Sequence, residues 1–294
     1  MIVLYLSAIV AVLLYYLFYR AYRNTHEVQI NTVTLQDTKG TPLTGSTMLR
    51  VLQLSDLHLE HLSVTPDKLY ESLKDQRFDL IALTGDFLDR PKSIPKLVPY
   101  LKVLQQLEPE YGTFAVFGNH DYKLRVRSFR QLQQVLSAFQ VKMLQNEHVT
   151  IDAAGKIVHV IGIDDHHSKK NDVESAYRGL PENGYSLVLT HDPNVVMEME
   201  DKHFDYMLTG HFHGGQICWP KPYHLMKFGK LVRLNLIKGL IHYNGKAVYI
   251  NEGLGQTGVN IRVGSRPEIT IHELMLSSEA AAGVQPEALL EEAI

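Results

Sequence analysis

Short, largely apolar runs, each closed by a polar or glycine-containing turn, recur along most of this chain. They are Leu49–Leu54, Asp79–Thr84, Thr113–Phe117, Val158–Ile163, Ser186–Thr190 and Tyr206–Thr209. Runs this short and this apolar suit strands buried on both faces. Stretches with helical spacing lie between them, at Pro66–Gln76, Ile94–Leu107, Arg127–Phe139, Asp172–Arg178 and Pro193–Met199. The alternation predicts an α/β fold of two packed mixed sheets flanked by helices. Val28–Leu35 alternates apolar and polar residues, with Thr32 out of step, and reads as a short edge strand leading into a Gly40-Thr41-Pro42 turn.

The first residues have a different pattern. Ile2 to Tyr19 holds no charge and is dense in Leu, Val, Ile and Tyr, close to the lower limit for a membrane-spanning helix. A cleaved signal peptide needs a basic leader and a small-residue cleavage site. No Lys or Arg precedes the run, and bulky Leu17-Phe18-Tyr19-Arg20 follows it, so an uncleaved single-pass anchor is the expectation. Tyr15, Tyr16, Phe18, Tyr19 and Tyr22 suit one membrane interface, and Arg20 and Arg23 place the remainder in the cytoplasm by the positive-inside rule. The expected organisation is an anchor at 1–23, a linker with the edge strand at 24–48, one main domain at 49–275 and an acidic tail at 276–294.

The formal net charge is −3 over 294 residues, which gives no general nucleic-acid signal. One stretch departs from that balance. Between Ile217 and Lys238, Trp219, Lys221, Lys227, Lys230, Arg233 and Lys238 are grouped with Tyr223, His224 and Phe228. It reads either as a receptor for an anionic headgroup or lipid surface or as an ordinary solvated insertion. Asp164-Asp165-His166-His167, after a strand, is a second candidate for the rim of a site. Cys218 is the only cysteine, which excludes an intrachain disulfide; it reads as a packed neutral thiol, with a minor metal-proximal role open.

Five polar clusters carry the chemistry: Asp56-Leu57-His58, Gly85-Asp86, Gly118-Asn119-His120-Asp121, Thr190-His191-Asp192 and Gly210-His211-Phe212-His213. Each follows the end of a predicted strand, the edge where ligands collect in open α/β sheets. His148, His159, His203 and His242 read instead as ordinary core or surface histidines. No H-E-x-x-H or H-x-H-x-D-H run occurs, which removes the zinc-protease and β-lactamase-type readings.

In order and spacing, the five clusters resemble the motifs of the calcineurin-like metallophosphoesterases, over roughly Leu49 to Leu274. The resemblance implies a four-layer αββα sandwich with a catalytic domain that holds two divalent metal ions. It implies Asp56, His58 and His213 as ligands of the first ion, and Asn119, His191 and His211 as ligands of the second. Asp86 would bridge them, since a carboxylate has two oxygens and a full charge to share. A hydroxide held between the ions would attack phosphorus in line. His120 would stabilise phosphoryl charge or protonate the leaving oxygen, with Asp121 orienting or charge-stabilising its imidazole. Gly214 and Gly215 would let the backbone turn tightly beneath the ions. Mixed nitrogen and oxygen ligation leaves Mn, Fe, Zn and Co open.

The anchor and the basic, aromatic stretch favour a phosphodiester or pyrophosphate bond in a membrane-associated lipid or nucleotide-sugar substrate. Members similar to the UDP-2,3-diacylglucosamine hydrolases and the cell-envelope phosphodiesterases share that context. A phosphomonoesterase or nucleotide phosphodiesterase with a soluble substrate stays open, as does a non-catalytic scaffold of the same fold. Phe87-Leu88 after Gly85-Asp86, and Tyr122 after Asp121, bring no arginine to those places, which disfavours a protein phosphatase.

Overall fold

The computed structural model describes residues 1–35 and 47–276. The expected turn at Gly40-Thr41-Pro42 and the tail from Ser277 lie outside them. The chain opens with helix α1 (Ile2–Asn24), followed by strand β1 (Gln29–Leu35), β2 (Thr47–Leu54), α2 (Pro66–Leu73), β3 (Leu80–Thr84), α3 (Ile94–Gln106), β4 (Thr113–Val116) and α4 (Val126–Ala138). Then come β5 (Val141–Met143), β6 (Glu147–Ala153), β7 (Lys156–Gly162), α5 (Val173–Tyr177), β8 (Tyr185–Leu189), β9 (Tyr206–Thr209), α6 (Lys230–Arg233), β10 (Gly239–Tyr243), β11 (Lys246–Ile250) and β12 (Glu268–Leu276).

Two six-stranded sheets stack face to face, in the orders β1-β12-β2-β3-β4-β5 and β10-β11-β9-β8-β7-β6. Both are mixed: β2, β3, β4 and β5 run parallel, as do β7, β8 and β9, while β12 is antiparallel to β2 and β6 to β7. Alternate residues of a strand face opposite sides, and the burial follows this. Leu49 and Val51 pack between the sheets with Leu187, Leu189 and Leu208, whereas Leu52 and Leu54 pack against α2, α3 and α4. Val188, Met207 and Ile250 turn outward beneath α5 and α6. The result is four layers, helix-sheet-sheet-helix, with the strand at 29–35 on the edge as expected.

Helix α2 starts at a Thr65 cap, whose side chain accepts the Lys68 N–H, and carries Pro66 at its first position, both favourable at a helix start. The expected helix at Pro193–Met199 is instead a 3-10 segment, Pro193–Glu198. Its Asp192 cap bonds the Asn194 N–H and the run holds β-branched Val195 and Val196, which fit an α-turn poorly. The β10–β11 hairpin turns at Asn244-Gly245, both at positive φ (48° and 78°), as a two-residue hairpin loop of that sequence requires.

Polar side chains cross the gap between the sheets just below the clusters. His272 on β12 sits between the Tyr206 hydroxyl and Gln53 Oε1, both at 3.0 Å. The Gln53 amide donates to Thr84 and to the Thr209 carbonyl. In this setting His272 is neutral: burial lowers its pKa to about 3. The unfolded chain takes up this proton near the ordinary value of about 6.5, so the contribution to stability present above that pH is lost as pH falls toward 3. Between pH 7 and 5 the wild type is expected to lose about 2 kcal/mol more stability than His272→Gln. Denaturant unfolding at the two pH values checks this, and equal losses would contradict it.

Candidate metal centre

Every one of the five clusters stands where a strand ends on the same edge of the stacked sheets. Asp56 and His58 follow β2, Asp86 follows β3, Asn119 and His120 follow β4, His191 follows β8, and His211 and His213 follow β9. Both sheets therefore feed one site at their shared edge. Five of these residues hold their backbone in the left-handed region: Asp56 (φ 51°), His58 (37°), Asp86 (54°), His211 (77°) and His213 (51°). Non-glycine residues seldom adopt it, and such outliers gather where surrounding structure enforces a functional geometry. Gly118 belongs to the same design, because a Cβ there would lie 2.2 Å from Asp86 Oδ1. After the last cluster the chain turns back through Gly214 and Gly215, at φ 56° and 88°.

The side chains converge on two carboxylates. Asp86 Oδ2 lies 3.4 Å from His58 Nε2 and 3.2 Å from His191 Nε2. Asp56 Oδ1 lies 3.3 Å from His213 Nε2, and His191 Nε2 is 3.2 Å from His211 Nδ1. Ligand-type atoms of Asp56, His58 and His213 lie within 4.8 Å of one another, as do those of Asp86, His191 and His211. Asp86, in contact with histidines of both groups, stands between them. Its other oxygen accepts the His120 N–H at 2.8 Å, which ties the Asn119-His120 loop to the centre.

The chemistry of this set fits divalent cations. His58 Nε2, His211 Nε2 and Asn119 Oδ1 are buried with no hydrogen-bond partner among the described residues, although buried polar atoms are nearly always paired. The cluster attracts positive charge. Burial works against protonation of His58, yet the nearby Asp86 carboxylate and the hydrogen bond to Asp89 raise its pKa to about 10. His191 is likewise raised against burial by the charges of Asp86 and Asp56, and Asp86, also against burial, is held far below the carboxylate range by His191 and His58. Burial dominates at His211 and His213, lowering them to about 4 and 3; neutral imidazole is the form that ligates a metal.

His120 sits at the edge of this cluster, and its orienting partner differs from the one expected. Its Nδ1 bonds Asp89 Oδ1 at 2.7 Å. The Asp121 carboxylate points away, accepting the backbone N–H groups of Gly118, Asp86 and Phe87 at 3.0 Å each. Burial and the Asp86 charge push its pKa up to about 8. Asp121 therefore pins the loops to each other, and the carboxylate bonded to the His120 ring is that of Asp89. The same Asp89 oxygen meets His58 Nδ1 at 2.9 Å, joining His120 to a candidate ligand. Asp89 lies three residues beyond Asp86, and that proximity was the available signal. Lys123 Nζ, 3.0 Å from His120 Nε2, brings a cation to this edge.

Beneath His213 lies a residue with no sequence signal. Arg262 is fully buried, and its guanidinium donates to the carbonyls of Glu252, Gly253, Gly255 and Arg266 at 2.7–2.9 Å. His213 Nδ1 in turn contacts the Gly255 carbonyl at 3.2 Å.

The two rim candidates reach the centre only in part. From the stretch 217–238, the Phe228 ring lies 5.4 Å from His211 and 5.6 Å from His167. Lys238 pairs with Glu252. In the second candidate, the Tyr122 hydroxyl donates to Asp164 and His166 bonds Asp192, while exposed His167 brings its ring to 5.3 Å from that of His211, tilted at 49°. Cys218 is half-buried against the outer core and belongs to no potential metal-holding group among the described residues. His159 is buried and bonded to Thr150 and the Asn183 carbonyl.

Residues 49–215 match the family described as calcineurin-like phosphoesterase. Over 256 residues the chain is 57% identical to the uncharacterized metallophosphoesterase YkoQ of Bacillus subtilis, covering 87% of this chain and 94% of that protein. It is 27% identical over 279 residues to the UDP-2,3-diacylglucosamine pyrophosphatase LpxG of Chlamydia trachomatis, covering 76% and 82%. With the phosphodiesterase YaeI of Escherichia coli it shares 28% identity over 233 residues, covering 77% and 82%.

Replacing Asp89 by Asn removes the carboxylate from two imidazoles at once. Turnover is expected to fall about 10- to 100-fold, and manganese affinity to weaken with it. His120→Ala lowers turnover while leaving metal content intact. Steady-state rates with metal analysis of both variants check this; unchanged rate and affinity in Asp89→Asn would refute the shared role.

Proposed function

The chain belongs to the calcineurin-like phosphoesterase family and is a phosphoester hydrolase, and on that premise we propose that it cleaves a phosphodiester or pyrophosphate bond in a lipid-linked substrate at a membrane surface. The observation that carries the chemical part is the Asp86 carboxylate, set between two histidine groups whose buried ring and amide atoms lack partners among the described residues. In this reading Asp56, His58 and His213 would hold one divalent cation, Asn119, His191 and His211 the other, with Asp86 available to both. Such a pair would supply charge compensation on the phosphoryl oxygens and lower the pKa of a water molecule.

The chain's own residues do the rest. Asp89 fixes the His120 imidazole through Nδ1, so that Nε2, once the Lys123 ammonium turns from it to the phosphoryl group, can carry a proton to the departing oxygen. Lys123, beside that nitrogen, adds positive charge where phosphoryl oxygens would lie. Neutral His211 and His213 keep lone pairs available for ligation.

Two features support the membrane part. Helix α1 is 23 residues long and holds an 18-residue stretch of mean hydropathy 2.3 that the protein leaves unburied, long enough to cross a bilayer. LpxG, among the relatives, is a pyrophosphatase of a diacylated sugar nucleotide. With Arg20 and Arg23 just after the apolar run, the positive-inside rule places the catalytic domain in the cytoplasm.

The test compares bis-p-nitrophenyl phosphate, p-nitrophenyl phosphate and a diacylated sugar nucleotide, with manganese and after chelation. Manganese-dependent cleavage is expected, fastest on the lipid-linked compound. Faster cleavage of soluble nucleotides would sink the lipid assignment. Asp86→Ala is expected to fall to the uncatalysed background, because it leaves two cation sites facing each other without their shared charge; full activity in that variant would refute the two-cation assignment.

A further inference from the structure

The stretch between His213 and β10 presents apolar side chains to solvent beside its basic ones. Ile217 (39% exposed), Trp219 (79%), Tyr223 (64%), Met226 (44%) and Leu234 (53%) are all exposed, and none of the mechanism uses them. Lys221, Lys227, Lys230 and Arg233 are exposed among them. Apolar and basic groups mixed on one surface match an anionic lipid interface, which offers both acyl chains and negative headgroups.

Its position is fixed relative to α1. The Arg262 N–H donates to the Ala21 carbonyl at 2.9 Å, and the Asn24 side chain donates to the Arg262 carbonyl at 2.7 Å. The next residue, Val263, pairs in parallel with Ile217, and Cys218 donates to the Val263 carbonyl at 2.7 Å. The segment Ile217–Trp219 thus lies two backbone spacings, about 10 Å, from the last turn of α1. The uncharged run Ile2–Tyr19 extends about 27 Å as a helix, close to the roughly 30 Å of a bilayer's hydrocarbon. Ala21 then falls at the hydrocarbon boundary, and Trp219, a residue type favoured at that interface, lies within side-chain reach of the headgroup layer.

We propose that residues 217–234 are a membrane-docking surface for anionic lipid, seated in the same leaflet that α1 leaves. Because Phe228 reaches His211, docking holds the rim of the metal centre against the headgroups. This rests on the reading of α1 as a membrane span. Lipid is favoured over a second copy of the chain as the occupant because the patch is basic and adjoins the apolar helix.

Trp219 is the chain's only tryptophan, so its fluorescence reports on this surface without substitution. The full chain is reconstituted in phosphatidylglycerol–phosphatidylcholine vesicles, with and without lipids brominated in the upper acyl chain. The expected result is blue-shifted emission, a loss of intensity with brominated lipid, protection from aqueous iodide, and weaker effects in pure phosphatidylcholine. Protein that floats with the vesicles while Trp219 stays iodide-accessible and unquenched by bromine overturns the docking surface and leaves the anchor standing. Protein that does not float overturns the anchor itself. Iodide protection without bromine quenching, dependent on protein density in the membrane, shows a second copy on the patch and also overturns the proposal.

Discussion

Burying negative charge is the constraint around which this protein is organised. Asp56 and Asp86 are out of contact with water at the edge of two sheets, where an isolated carboxylate is costly. The cost is offset by positive charge and by donors: His58 and His191 against Asp86, the His120 and His211 N–H groups, and the Ser55 hydroxyl. A pair of divalent cations satisfies the same demand. The left-handed backbone at five cluster residues follows from it, since three of the five loops, those after β2, β3 and β9, turn abruptly to aim side chains at one point. The sheets supply rigidity through the buried layer between them, and the His272–Gln53–Thr209 bridge locks their ends together close to the site.

Arg262 connects this centre to the other end of the molecule. Its guanidinium is held by backbone carbonyls that include Gly255, the contact of His213 Nδ1, while its own backbone is hydrogen-bonded to the last turn of α1. A buried guanidinium is well suited to this work, because its planar fork offers five donors in fixed directions. The seating of α1, through the Arg262 backbone, and the surroundings of His213, through its guanidinium, therefore meet at one residue.

Much of this was legible in the sequence, for a physical reason. Each cluster follows an apolar run, and a strand end on a parallel sheet is where polar side chains can converge, so order along the chain became position on one edge. Asp121 shows where that reasoning stops: adjacency to His120 suggested a partner, but a 3-10 turn sends the carboxylate back onto backbone N–H groups, and Asp89 from the neighbouring loop takes its place. Arg262 left no trace because its partners are main-chain atoms, which carry no side-chain signature. The Asn244-Gly245 pair carries a hairpin signal in the sequence, and the β10–β11 hairpin turns there. The Pro193–Glu198 segment misled because its apolar spacing suits a helix while its cap and β-branched pair favour a tighter turn.

Manganese binding measured by electron paramagnetic resonance tests the central claim most directly. Titration of the metal-free full-length chain is predicted to saturate at two ions per chain with the spectrum of an exchange-coupled pair, since a shared Asp86 carboxylate brings the ions within coupling distance. Saturation at one ion, or at two with only uncoupled signals, would contradict the account of a single centre built around that carboxylate.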